Sequence, residues 1–149
     1  MDLGNLSDLK EMAVAPSSVF RMKLYPEDGV VPKNASDESR NKYFVILGKD
    51  ENDDFIALSL INININENLK LRIGAYQHQI KSSDYAFLNG TNRYVDCYDI
   101  KEIKKEKVME SATYEGFLNQ EDMDAVIKLA NKSPIISDAK LKQYQIFKR

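Results

Sequence analysis

Few residues in this chain could move a proton near neutral pH. His78 is its one histidine, and imidazole is the side chain whose reference pKa, about 6.5, suits general acid or base work. The same residue reads equally well as a packed or surface histidine. Cys97 is the one cysteine. It is flanked by Asp96 and Tyr98 with no cation beside it in sequence, and so reads as a small buried hydrophobe rather than a nucleophile. A lone cysteine also excludes an internal disulfide and any Cys-rich metal site. The acidic run "DENDD" at 50–54 lacks the alternating ligands and the glycine of a calcium loop, so a turn is expected there and no metal or cofactor.

The run "IALSLINININ" at 56–66 holds polar groups that could recognise a ligand. Its apolar residues start on even positions (Ile56, Leu58, Leu60) and then jump to odd ones (Ile61, Ile63, Ile65), with Asn62 and Asn64 between them. Strand side chains alternate faces, so the jump implies either a β-bulge at Leu60–Ile61 or a strand that ends at Leu60. Tyr94 and Tyr98 lie four apart on a strand-like run, where they suit base stacking or ordinary cross-strand packing.

The elements that must position these residues follow from periodicity. Leu6, Leu9, Met12 and Ala13 predict a short helix within 5–14, capped by Asn5 or Ser7 and closed before Pro16. Residues 1–15 read as an N-terminal extension and 16–149 as one domain. "SVFRMKLY" alternates as a strand, and a long polar loop follows from Pro26 to Asn41. "KYFVILG" and "FIALSL" predict a hairpin over 43–60. Two further strands are expected at "AYQHQI" and "RYVDCYDIKEI", the second unbroken. "KEIKKEKVME" reads as a solvated mixed-charge face. The clearest helix is 120–130, with Asn119 as cap, acids in the first turn and a Met123, Val126, Ile127, Ala130 stripe. "SDAKLKQYQI" predicts one more short helix. Strands first and helices last argue for a mainly β, antiparallel fold.

The 149 residues suit a single domain with a sizeable core. With 21 Lys and Arg against 23 Asp and Glu, net charge is -2, which argues against nucleic-acid binding by bulk charge but not against a local basic patch. The opening "MDLGNLSDLK" has no signal-peptide pattern and no apolar run spans a bilayer, so a cytoplasmic protein without membrane contact is expected.

Taken in order, "SVFRMKLYPEDG", "RNKYFVILG", "FIALSLIN", "RYVDCYDIKEI" and "GFLNQEDMDAVIKLA" resemble the MazF/PemK (Kid/CcdB-like) toxin family over roughly residues 16–132. The resemblance implies a small SH3-like antiparallel barrel with C-terminal helices and a homodimer. It also implies metal-independent endoribonuclease activity on single-stranded RNA, blocked by an acidic antitoxin protein. It would make Arg40, Lys42 and Ser59 catalytic and put Asn62, Asn64 and His78 on the RNA, with the 26–41 loop gating the groove. The family's Ser or Thr falls somewhere from Ser59 to Asn62, and the chain departs from the family at its catalytic Arg. Where relatives have Arg followed by Pro, it reads Lys42-Tyr43, with Arg40 two residues upstream. Lysine lacks the guanidinium fork that grips phosphate through two bonds. An alternative expectation is therefore a MazF-like binding module, without catalysis, for nucleic acid or peptide.

Overall fold

A computed structural model describes residues 6–25, 28, 40–65 and 70–147, with the side chains of residues 6–8 and 40 outside that description. Most of the predicted 26–41 loop and the cap candidate Asn5 therefore lie outside the described residues, as does the side chain of the other cap candidate, Ser7.

The organising element is strand β3, Phe55–Asn62, which alternates without interruption. Ala57 and Ile61 join one hydrophobic cluster, and Ile56, Leu58 and Leu60 join another. No bulge occurs at Leu60–Ile61, and the strand does not stop at Leu60. The apparent change of phase arises because both faces of β3 are buried, so apolar residues occupy odd and even positions alike. The bulge lies instead on the partner strand β2, Arg40–Lys49, where Ile46 pairs with Leu58 but Gly48 pairs with Ala57. Gly48 is required there, because an added Cβ would come within 2.0 Å of the Tyr144 carbonyl oxygen.

Around this pair the chain builds a seven-stranded antiparallel sheet. The other strands are β1 (Ser18–Leu24), β4 (Gln77–Ile80), β5 (Arg93–Asp96), β6 (Lys101–Lys104) and β7 (Thr113–Phe117). Their order is β4-β5-β3-β2-β1-β7, with β6 also on β3. The predicted strand over 93–103 is thus broken. Its halves bind successive stretches of β3, Ile61–Asn62 and Phe55–Leu58, with a bend between them. Among the described residues no pairing joins β4 to β7, so the sheet is open where a closed barrel was expected. The antiparallel, mainly β character is as predicted.

Each face carries its own helical cover. The first face packs against α4 (Gln120–Lys132) and α5 (Asp138–Gln143) through Met123, Val126, Ala130 and Leu141. The second face packs beside α1 (Leu6–Ala13) and α3 (Lys105–Ser111) through Val14, Val108 and Ala112. A further turn of helix, α2, spans Lys70–Ile73. Asn119 caps α4 as predicted, its Oδ1 accepting the Asp122 N–H at 2.8 Å. Ser137 caps α5 in the same way. The "DENDD" acids form a turn, in which the Asp50 carboxylate accepts the N–H groups of Asp54 and Phe55. α3 and β7 are elements that the sequence did not reveal. α3 shows little apolar stripe beyond Val108, which is fully buried.

Candidate functional site

Antiparallel register fixes which polar groups meet. Residues directly opposite one another share a face. One row across the second face runs Gln79, Tyr94, Asn62, Lys42 and Met22: Gln79 and Asn62 both pair with Tyr94, and Met22 pairs with Lys42. Lys42 and Asn62 close the row by direct contact, the ammonium donating to the amide oxygen. Only 8 % of Lys42 is exposed, so its charge is substantially desolvated and depends on such polar partners. Asn62 and Tyr94 are half-buried, and Gln79 is exposed.

The neighbouring row lies on the first face. It runs His78, Val95, Ile61, Tyr43, Arg21 and Thr113. Tyr43 anchors a cationic cluster, with the Arg93 guanidinium 4.7 Å and the Arg21 guanidinium 6.0 Å from its ring centroid. Phe87 stacks on the same ring at 6.4 Å. Arg21 also pairs with Glu115 at 3.4 Å.

Of the predicted residues, Lys42 and Asn62 come together. Ser59 does not join them. It pairs with Val45, faces the first side between Ala57 and Ile61, and is fully buried with no partner for its hydroxyl among the described residues. Arg40 opens β2 in register with Leu24, two positions from Lys42. Asn64 is exposed beyond the end of β3.

His78 also sits away from Lys42, on the other face at the β4 edge. Its Nε2 lies 2.8 Å from Asp122 Oδ1. Tyr85 donates its hydroxyl proton to the other oxygen of Asp122 and accepts the Asn119 N–H at 3.0 Å. Burial, then the Asp122 carboxylate, pushes the Tyr85 phenol well above its ordinary range. The histidine is thus part of a network that ties the N-terminus of α4 to β4. Cys97 is fully buried, and burial pushes its thiol up, out of nucleophilic reach.

Among the described residues, no group of three or more His, Cys, Asp and Glu side chains could hold a metal ion, and no helix is long and apolar enough to cross a membrane. A groove of about 450 Å³ opens elsewhere, between α4 and the last described turn, lined by residues including Leu47, Met123, Ile127, Lys128 and Phe147. It contains none of the predicted site residues. Sequence reasoning missed Gln79 as a site residue, and it missed the Arg21–Tyr43–Arg93 cluster. Arg21 stood on the polar side of an alternating strand, but only register reveals its partners.

Compared with protein-family models and with curated proteins, the chain matches none.

Proposed function

We propose that this chain is a MazF/PemK-like binding module for single-stranded RNA, with Lys42, Asn62, Tyr94 and Gln79 as the contact row. The observation that carries the reading is the meeting of Lys42 and Asn62 beside Tyr94. A cation for phosphate, an aromatic ring for a base and amides for base edges are what single-stranded RNA recognition uses. Binding is favoured over cleavage because RNA hydrolysis needs a base for the 2′-hydroxyl and an acid for the leaving oxygen. His78, the one imidazole, is on the opposite face and bound to Asp122. Ser59 has its hydroxyl shut inside the first core.

The endoribonuclease reading keeps one supporting observation, the same Lys42–Asn62 convergence. The family likeness behind both readings would also bring a second copy of the chain, an acidic antitoxin segment as partner, and a cytoplasmic location. The test is incubation with single-stranded RNA in the absence of divalent metal. Retention of intact RNA in a complex is expected. Fragments with cyclic phosphate or 5′-hydroxyl ends would restore the enzyme, and RNA that neither binds nor breaks would remove both readings.

A further inference from the structure

Among the described residues, Arg93 is a cation with a buried donor that finds no acceptor. It makes no ion pair among them, and its Nε–H is shut from water. What holds it is the face of Tyr43, 4.7 Å away. A ring quadrupole stabilises a guanidinium only partly and leaves its N–H donors unused. A buried donor without a partner is rare in folded proteins and calls for an explanation, such as a bound water or an ion. A second guanidinium, that of Arg21, leans on the same ring. Its contact with Glu115, 3.4 Å at Nε, is longer than a charge-assisted hydrogen bond, so most of its fork is also uncommitted. Lys23 and Asn41 pair with each other one row further along the same face, and both are exposed.

We infer that Arg93 and Arg21, braced on Tyr43, form a phosphate-binding site on the first face of the sheet, separate from the Lys42 row and not resting on its RNA reading. The chemistry favours phosphate over carboxylate. A phosphate group carries up to two charges and three strong acceptor oxygens, and it suits planar forks fixed by stacking. One carboxylate, Glu115, is already present and engages Arg21 only loosely. The phosphate could be a free group or part of a nucleic-acid backbone, where a phosphodiester offers one charge and two unbridged oxygens to the same forks.

Nitrogen-edited NMR of the arginine Nε–H groups in the intact protein tests this, using inorganic phosphate alone and a single-stranded RNA oligomer. With phosphate, the Arg93 and Arg21 signals should move saturably, while sodium chloride at matched ionic strength leaves them in place. Arg93→Gln should weaken phosphate binding about tenfold or more. Arg93→Lys keeps the charge but not the fork, and should recover only part of it. If the backbone of RNA is the source, Arg93→Gln should also lower the slope of log affinity against log salt by about 0.7. An unchanged slope with phosphate still bound assigns the site to a free phosphate group. The inference is overturned if phosphate produces no saturable shift, if chloride gives the same response, or if Arg93→Lys binds as well as the parent. It is also overturned if an acidic peptide displaces phosphate at lower concentration than phosphate itself binds. Far-UV circular dichroism confirms that each variant is folded before it is scored.

Discussion

Lys42 on β2 donates its ammonium to the Asn62 amide on β3, while Ser59, three residues before Asn62 on the same strand, points to the other face. This arrangement separates residues that the family likeness would place in one centre. Alanine at both Lys42 and Asn62 should weaken single-stranded RNA binding about tenfold or more, since each contact removed is worth roughly 1–3 kcal/mol. Filter binding or fluorescence anisotropy at fixed salt reads the change, and unaltered affinity would remove the row from the ligand.

Ser59→Ala should behave in the opposite way. The hydroxyl is fully buried and lacks a partner among the described residues, so its removal relieves a desolvated polar group. Chemical denaturation should show stability unchanged or raised by up to about 1 kcal/mol, with RNA affinity intact. A large loss of binding or activity in this variant would return Ser59 to the site.

The network at the start of α4 predicts a third result. Tyr85→Phe leaves both an Asp122 oxygen and the Asn119 N–H without their present partner, which should cost roughly 1–3 kcal/mol of stability. His78→Ala removes one part-buried contact to Asp122 and should cost less, while RNA affinity stays as it was. Paired thermal melts and binding curves distinguish this structural role from direct contact with RNA.

Alkaline pH should expose two of the eight tyrosines. Burial first, then the neighbouring carboxylates Asp122 and Glu102, hold the Tyr85 and Tyr144 phenols above their ordinary range. The unfolded chain gives up these protons near pH ~10, whereas the folded chain retains them. Their contribution to stability is therefore complete below that pH and is lost as pH rises beyond it. Phenolate absorbance should show Tyr85 and Tyr144 ionising together with unfolding. Ionisation of both in the still-folded protein would contradict the described environments.

Gly48→Ala should be among the most damaging small substitutions. The new methyl would press on the Tyr144 carbonyl oxygen at 2.0 Å, where backbone and not a flexible side chain must give way. A loss of about 1–3 kcal/mol or more is expected from such overpacking, measured as a lower denaturation midpoint.

What the sequence made legible was local. Helix α4 announced itself through Asn119, its acidic first turn and the stripe at Met123, Val126 and Ala130, all of which the fold uses. The β2–β3 hairpin was readable from two apolar runs flanking "DENDD". The first face of β1 was readable from alternation, but not its role, because the meeting of Arg21, Tyr43 and Arg93 depends on strand order. Ser59 was misjudged for a related reason. A strand buried on both sides gives no alternation from which to choose a face, so Ser59 and Asn62 looked equivalent until register separated them. α3 was hidden by its lysines and glutamates, which crowd around its buried anchor, Val108.

The sheet also acts as a partition. Ala57 and Leu58 are adjacent in the chain yet belong to different interiors, one under α4 and the other beside α3. Packing on either side can thus drift through evolutionary time without forcing compensation on the other, so long as the shared backbone keeps its hydrogen bonds. Lineages descended from this sequence would be free to remodel the helical cover of one surface while conserving whatever the opposite surface recognises.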